Sequence, residues 1–361
     1  MLAIPAWAGE AEGIAAYQNG NFPLAVAELT PLAEAGDAMA QTILGFMSFN
    51  GDGMPQDPLR AAHLFRLAAE QGNPDAQHNL GYIYDAGIGV PQDYAEAAKW
   101  YKLAAAQGRT DAQYNLGAMY RSGGFGITQD SVEAAKWFRL AATHGDFNAQ
   151  YDLGQLYAKG EGVTQDYSEA QKWFHTAASR RYAPAQFRLG NMYLEGTGVD
   201  RNEVEAIRWF RLAAAQGFAP AQFNLGVLFN TGRGVPADDA QAAKWFRLAA
   251  EQGHAAAQSN LGLLYDHGQG VDQSDTEAVK WYTLAANQGD AYAQNGLGAM
   301  YRNGYGVPLD LVQAYQWLFL GMQQGHSGAA TSLKAIAERM TPADIDAGHA
   351  LAADWVARHP K

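Results

Sequence analysis

The 361-residue sequence contains no cysteine. Disulfide bonds, iron–sulfur clusters, cysteine-ligated zinc and thiol catalysis are therefore excluded. Basic residues are also scarce, with 25 Lys and Arg against 37 Asp and Glu and a formal net charge of −12. Because this charge repels phosphate backbones and anionic membranes, we expect no nucleic-acid partner and no binding to an anionic membrane surface.

Long apolar runs are absent as well. No stretch approaches the ~20 apolar residues of a membrane-spanning helix, so no membrane span is predicted. The chain begins with MLAIPAWA, in which Ala6-Trp7-Ala8 fits the small-x-small pattern of a signal-peptidase site. We interpret residues 1–8 as the remnant of a signal peptide, cleaved after Ala8 in the full precursor; a short apolar tail is the alternative. The first interpretation predicts a periplasmic or secreted protein.

Glycine is abundant, with 40 residues, and its spacing reveals an internal repeat. The pattern Gln-x-x-Leu-Gly returns about every 36 residues along the chain. Its glutamines are Gln77, Gln113, Gln150, Gln186, Gln222, Gln258 and Gln294, with a divergent first copy at Gln41. The copies span residues 37–72, 73–108, 109–145, 146–181, 182–217, 218–253, 254–289 and 290–325.

Each copy is predicted to form two helices, here called A and B, joined by a Gly-x-Gly turn. In the second copy, Ala76, Leu80 and Tyr84 recur every four residues, which places them on one face of helix A. Asp93 is positioned to cap the start of helix B, and Glu96 three residues later would complete a capping box.

Helix B carries a large aromatic residue at a fixed position. Gly81 and its equivalents recur in the middle of helix A, where glycine costs about 1 kcal/mol relative to alanine. We therefore expect the aromatic residue to pack opposite alanine and glycine and to interlock neighbouring hairpins. Tryptophan occupies its position in seven copies: Trp100, Trp137, Trp173, Trp209, Trp245, Trp281 and Trp317.

The motif from Ala76 to Ala105 resembles the Sel1-like repeat family, which is related to tetratricopeptide repeats. The resemblance covers residues 37–325. It implies an all-α fold, a right-handed superhelical solenoid of helical hairpins with helix A on the concave side. It also implies scaffold, adaptor or regulatory roles, often in exported bacterial proteins. Members associated with penicillin binding carry a cysteine pair in each repeat, so that activity is not transferred to this chain.

The flanking segments are predicted to cap the array, since the ends of a repeat stack otherwise expose its core. Residues 9–36 read as a tetratricopeptide-like hairpin, and residues 326–361 as C-terminal capping helices. The second of these helices is predicted to begin at Thr341-Pro342. Its residues Ala350, Leu351 and Trp355 are expected to pack on the last repeat.

No arrangement of residues indicates catalysis. The Gly-x-Gly turns follow helices, whereas a nucleotide-binding fingerprint follows a strand. The nine histidines are scattered, and Asp272-x-x-Asp275-x-Glu277 lacks the ligand pattern of a calcium loop. We therefore predict no catalytic residue, no metal site and no cofactor, and a protein that is not an enzyme.

Function is expected where the copies differ, on the face of helix A that points away from helix B. Two columns of residues occupy this face. The first is Asn79, Asn115, Asp152, Arg188, Asn224 and Asn260, and the second is His78, Tyr114, Tyr151, Phe187, Phe223 and Ser259. Amide side chains can bond a peptide backbone in both directions, and aromatic rings offer contact area at low entropic cost.

From these columns we predict a binding site for a protein or an extended peptide on the concave face. The site residues are Asn79, Asn115, Asn224, Asn260, Arg188, Tyr114, Tyr151, Phe187 and Phe223. The alternative is that they only fill the space between adjacent A helices. The predicted function is a non-catalytic scaffold or regulator of the bacterial envelope. A secreted binder of host glycoproteins such as immunoglobulins, and a β-lactam or peptidoglycan enzyme, are the alternatives.

A second surface column, on helix B, is basic. It is interpreted either as a solvated outer face that covers tryptophan or as a docking stripe for an acidic partner. Its members are Lys99, Lys136, Lys172, Arg208, Lys244 and Lys280, followed by Lys102, Arg139, Arg211 and Arg247.

Overall fold

The computed structural model describes residues 6–124 and 126–359. These ranges are helical and contain no strand, although a single bridge pairs Gly124 with Ile127. Residues 1–5 of the predicted signal-peptide remnant lie outside the described residues, and Ala6–Ala8 begin the first helix. No helix in the described ranges is long and apolar enough to cross a membrane.

The chain divides into two compact units, residues 1–177 and 178–361. The first unit contains the following helices, the last of which runs two residues past the boundary: α1 (Ala6–Gln18), α2 (Phe22–Glu34), α3 (Ala38–Asn50), α4 (Pro58–Glu70), α5 (Pro74–Ala86), α6 (Tyr94–Ala106), α7 (Thr110–Ser122), α8 (Ser131–Thr143), α9 (Phe147–Lys159) and α10 (Tyr167–Ser179).

The second unit continues the pattern with α11 (Ala183–Glu195), α12 (Glu203–Ala214), α13 (Ala219–Thr231), α14 (Asp239–Glu251), α15 (Ala255–His267), α16 (Asp275–Asn287), α17 (Ala291–Asn303), α18 (Leu311–Gln323), α19 (Ser327–Ala337) and α20 (Pro342–Arg358). In each unit the A helix of a repeat packs on its own B helix, and that B helix packs on the next A helix, as α5 does on α6 and α6 on α7. The predicted all-α fold of stacked helical hairpins is confirmed.

Close packing of helix A on helix B depends on the mid-helix glycine. A Cβ added to Gly81 would lie 2.7 Å from the ring of Tyr101, and one added to Gly190 would lie 2.5 Å from the ring of Phe210. The expectation that tryptophan faces this glycine is wrong, because the ring that does so belongs to the residue after the tryptophan. Phe210 is completely buried, whereas Trp209 is only partly buried.

The recurring glutamine of helix A joins three helices. Gln77 is buried, and its Nε2 donates to the carbonyl oxygen of Ala69 at the end of the preceding B helix, 3.1 Å away. Its Oε1 accepts from Nε2 of Gln107, at the end of its own B helix, at 2.8 Å. Because every copy keeps the bond to the preceding carbonyl, this glutamine supports the stack rather than facing a partner.

The Gly-x-Gly turn fits against the preceding repeat. Its first glycine closes helix A in the left-handed conformation, as Gly268 does with φ of 65°. Its second glycine lies against the beginning of the preceding B helix. A Cβ added to Gly270 would lie 2.2 Å from the backbone of Asp239. The turn thus has no room for a side chain at its second glycine.

The caps of helix B differ in part from the prediction. Asp93 does cap α6, accepting from the backbone N–H of Ala95 and of Glu96 at 3.0 Å. The predicted capping box does not form, because the carboxylate of Glu96 instead accepts from Trp100 Nε1 at 3.2 Å and from Lys99 Nζ at 3.1 Å. The acidic residue therefore holds the tryptophan in place.

The last helix, α20, packs back on α18. Thr341 caps its start, with Pro342 in the first turn and a capping box to Asp344. The ring of Trp355 lies 6.4 Å from that of Trp317, as expected for a helix that covers the last repeat. Ala350 is exposed, contrary to expectation, because the contacting side of the helix is formed by Gly348 and Ala352 instead.

Candidate partner-binding face

The exposed sides of the odd-numbered helices, here called the A-helix face, carry all nine predicted site residues. Arg188 is exposed, and the other eight are partly buried. They therefore lie at the surface, as a partner-binding site requires, yet the partly buried ones also contact the array. The nine residues belong to α5, α7, α9, α11, α13 and α15.

The first of the two columns on helix A, from Asn79 to Asn260, is here called the amide column. Its side chains bond mostly to other groups of the protein. Nδ2 of Asn79 donates to the carbonyl oxygen of Asp75, one turn earlier in the same helix, at 2.7 Å. Asn260 makes the equivalent bond to Ala256 at 2.8 Å. Asn224 instead donates to Oδ1 of Asn191 on the neighbouring A helix at 3.2 Å. Each amide has further hydrogen-bonding capacity, since its oxygen has two lone pairs and its nitrogen two hydrogens.

In the first unit the two columns bond to each other across neighbouring A helices. Nδ2 of Asn115 lies 3.3 Å from Nε2 of His78. The hydroxyl of Tyr114 donates to Oδ2 of Asp152 at 3.3 Å, and Arg121 forms an ion pair of 2.6 Å with the same carboxylate. Asp152 is therefore buried and neutralised within the array.

The second column, from His78 to Ser259, is here called the aromatic column. Its rings pack on helix B. Each ring lies over the ring that follows the tryptophan position, with centroid distances of 5.6 to 5.8 Å. Tilted aromatic pairs at such distances stabilise the packing beyond the area they bury. The rings of this column thus support the stack and are partly exposed. Two of them have a second ring contact, since Phe187 also packs on Phe218 at 5.4 Å and Phe223 stacks on His254 at 4.7 Å.

Among the described residues, three grooves open on this face beside predicted site residues. The smallest, about 160 Å³, includes Asn79, and a second of about 340 Å³ includes Asn115. The largest has a volume of about 660 Å³ and lies along α13, α15 and α17 of the second unit, where Phe223 and Asn260 line it. The structure brings these two predicted residues into one groove. Five of the nine predicted residues line none of the three: Tyr114, Tyr151, Phe187, Arg188 and Asn224.

The largest groove contains residues that the sequence analysis did not select. Leu263, Asp266, Tyr292 and Asn295 line it together with Gly296. The sequence could have pointed to Asn295 and Gly296, because in the last copy these residues occupy the positions of the aromatic and the amide column. Leu263 and Tyr292 lie outside both columns. Leu263 is in the third turn of α15, and Tyr292 is in the first turn of α17.

Asp266 gives this groove a carboxylate in a partly buried position. Burial raises the pKa of Asp266 above its usual range, since desolvation disfavours the charged form. The hydroxyl of Tyr282 donates to Oδ2 of Asp266 at 3.5 Å. Burial also raises the pKa of Tyr282, and the adjacent carboxylate adds to that effect. The hydroxyl therefore remains a hydrogen-bond donor at neutral pH.

The basic column on helix B is largely paired within the array. Nζ of Lys99 lies 3.1 Å from Oε1 of Glu96 and 5.3 Å from the ring centre of Trp100. Lys136 and Lys280 repeat this arrangement. These contacts favour the interpretation as a solvated face that covers tryptophan. No group of three or more acidic or histidine side chains suited to a metal ion occurs among the described residues.

The repeat model of one protein family matches this chain along most of its length. The Sel1 repeat model matches eight times, at residues 38–73, 74–108, 110–146, 148–182, 183–218, 219–254, 255–290 and 291–326. The chain belongs to the Sel1 repeat family. The resemblance predicted from the sequence is confirmed. Among curated proteins, no sequence matches the chain.

Two solved structures extend the likeness to the whole architecture. A Sel1 repeat protein from Oxalobacter formigenes is 35% identical, covers 86% of this chain and 90% of its own, and superposes with a TM-score of 0.70. A protective antigen present in uropathogenic Escherichia coli strains, c5321, is 31% identical. It covers 97% of this chain and 84% of its own, with a TM-score of 0.61.

Proposed function

We propose that this Sel1 repeat protein is a non-catalytic scaffold or adaptor that holds a protein partner on its A-helix face. Sel1 repeats typically build protein–protein interaction scaffolds. The observation that carries the proposal is the groove of about 660 Å³ on the second unit, which Phe223 and Asn260 line. A concave site with apolar walls and a few polar groups is the usual form of a binding site.

The lining of this groove suits a polypeptide segment. Leu263 and Tyr292 are 42% and 73% exposed, so both offer apolar area that a partner would remove from water. Asn260 and Asn295 supply amide groups that both donate and accept, which matches the alternating N–H and C=O groups of an extended backbone.

Site-specific photocrosslinking tests which face binds. We expect p-benzoylphenylalanine at Leu263, inside the groove, to form a covalent adduct with a partner in cells that express the protein at native level. Leu248 on α14 is the matched control, because it is 38% exposed on helix B and does not line the groove. Adducts from Leu248 alone, or from neither position, would overturn the A-helix face as the binding surface.

We also propose that the protein acts in the periplasm or outside the cell. The apolar first residues, with their small-x-small pattern at Ala6–Ala8, support export. Fractionation of the native bacterium should therefore recover the protein from the periplasm or the medium, with a cytoplasmic enzyme as the marker for lysis. Recovery with that marker would contradict export.

Secretion would favour a second candidate function, a host-facing binder of glycoproteins. The Escherichia coli relative is a protective antigen of uropathogenic strains, which is expected of a protein that meets host molecules. Recovery from the medium rather than the periplasm distinguishes this candidate from an envelope scaffold.

A further inference from the structure

From the second copy on, an aromatic ring of helix A packs on an aromatic ring of helix B, and this packing ends at the seventh copy. In five successive copies the ring of the aromatic column covers the ring of helix B. The last of these pairs is Phe223 with Phe246, at 5.8 Å. In the next copy helix B still has its ring, Tyr282, but Ser259 stands at the covering position.

The largest groove opens where this covering ring is missing. Ser259 and Tyr282 both line it, as does Phe223 from the preceding copy. On the other side the neighbouring column position is Gly296, whose missing Cβ would lie 2.8 Å from the ring of Tyr282. A serine and a glycine thus stand side by side where other copies carry a ring and an amide.

Another copy shows how the fold closes such a gap. In the first repeat Thr42 takes the covering position, and there Phe46, one turn later, places its ring 5.2 Å from Phe65. The residue equivalent to Phe46 in the seventh copy is Leu263, which is exposed and lines the groove. The seventh copy therefore has no aromatic side chain at either position. Ser259 and Tyr282 are nonetheless only 7% and 3% exposed, so the accessible part of the groove lies against Leu263.

The groove also carries acidic groups at both ends. Asp290 precedes α17, and Asp266 lies in the last turn of α15, so the two belong to opposite ends of the helices that form the groove. In the first unit Asp75 and Asp152 pair with Arg109 and Arg121. Within the described residues, Asp266 and Asp290 form no ion pair.

We propose that this groove receives an extended partner segment in which one aromatic side chain is flanked on both sides by arginine or lysine. The inference rests on the proposed function and specifies its partner. The aromatic ring lies over Ser259, against the exposed side chains of Leu263 and Tyr292, on the side of helix A where other copies carry their covering ring. The flanking cations reach Asp266 and Asp290. An extended chain rises about 3.3 Å per residue, so basic residues two positions from the ring reach along the groove in either chain direction.

A symmetric peptide tests this chemistry. The probe is fluorescein-labelled Arg-Ser-Phe-Ser-Arg, acetylated and amidated at its ends, and its binding to the full chain is followed by fluorescence anisotropy. We expect replacement of phenylalanine by alanine to weaken binding at least tenfold, and replacement of both arginines by glutamate to abolish it. Equal binding of the probe and the alanine peptide would overturn the aromatic subsite. Absence of probe binding would overturn the proposal as a whole.

Variants of the protein locate the subsites. Ser259→Phe should restore the covering ring and reduce probe binding at least tenfold. Because that variant could disturb the fold, Tyr292→Ala is the second test; it removes a ring that is 73% exposed and should weaken binding about fivefold. Tyr305→Ala is its control, since Tyr305 is 52% exposed and does not line the groove. Equal loss in Tyr292→Ala and Tyr305→Ala would overturn the placement of the ring.

The acidic contacts are tested in the same assay. Asp266→Asn should weaken the probe about threefold and reduce the salt dependence of its binding, whereas Glu251→Gln, outside the groove, should change neither. Unchanged binding in Asp266→Asn would overturn the cation contact. A crosslinked partner at Leu263 without any binding of the probe would leave the scaffold function standing and reject only this partner chemistry.

Discussion

Gly270→Ala is expected to lower the free energy of unfolding of the second unit by about 3 kcal/mol. Gly270 has φ of 67°, a left-handed conformation that costs an alanine about 1–2 kcal/mol. Its new Cβ would also lie 2.2 Å from the backbone carbon and oxygen of Asp239, which begins α14. Backbone atoms cannot rotate away as a side chain can, so the turn and the preceding repeat must separate, at a further cost of about 1–3 kcal/mol.

Gly253→Ala is the matched control for this prediction. Gly253 has φ of 86°, but no atom lies within 4 Å of the position that an added Cβ would take, so alanine there adds strain without a clash. Its cost should be about 1–2 kcal/mol. Urea unfolding followed by far-ultraviolet circular dichroism measures both variants. Equal midpoints for Gly270→Ala and Gly253→Ala would mean that the contact between turn and preceding repeat contributes nothing.

The repeat is the part of this molecule that the sequence predicts best. A position that must serve the same contact in every copy keeps the same residue, as Gln77 and Gly81 do with their equivalents. Periodicity therefore identified the helices, the turns and the caps. It also separated structural residues from candidates for chemistry, since the aspartate that precedes most B helices caps its helix, and Asn202 and Ser274 do the same for α12 and α16.

Periodicity alone could not assign each recurring residue to its neighbour. Trp209 and Phe210 are adjacent, recur together and are both large, so the sequence does not tell which of them faces Gly190. The rotation of helix B decides, and it points Phe210 inward and leaves Trp209 partly exposed. Similarly, Glu96 has the spacing of a capping box, but the nearby Trp100 N–H competes for its carboxylate and obtains it.

The candidate site was predicted in part for a related reason. Most positions of the two columns on helix A lie at the surface, although Asp152 and Ser259 are buried, and Phe223 and Asn260 line the largest groove. The groove itself depends on the absence of a ring at Ser259 and on side chains such as Tyr292 that lie outside both columns. The sequence shows that serine replaces an aromatic residue at Ser259. The size of the resulting space, however, depends on how closely the next A helix, α17, approaches.

Phe210→Ala should have the largest effect on stability, a loss of about 3–5 kcal/mol. The ring is completely buried between α12 and Gly190 of α11 and also contacts Phe187 at a centroid distance of 5.7 Å. Its removal leaves a cavity that the helices can close only in part. Trp209→Ala should cost at least 1 kcal/mol less, because the partly exposed indole loses less buried area. Urea unfolding measured by circular dichroism avoids the loss of tryptophan fluorescence in the second variant.

A double-mutant cycle with Gly190→Ala shows whether the glycine and the ring act as a pair. In the native background the added methyl would lie 2.5 Å from the ring of Phe210 and should cost about 1–3 kcal/mol. In the Phe210→Ala background the same methyl enters the vacated space, and the higher helix propensity of alanine should make it stabilising by about 1 kcal/mol. A change of sign requires direct contact between the two positions. Additive effects would show instead that Gly190 is retained for a reason unrelated to Phe210, and the glycine of every other A helix would then need a different explanation.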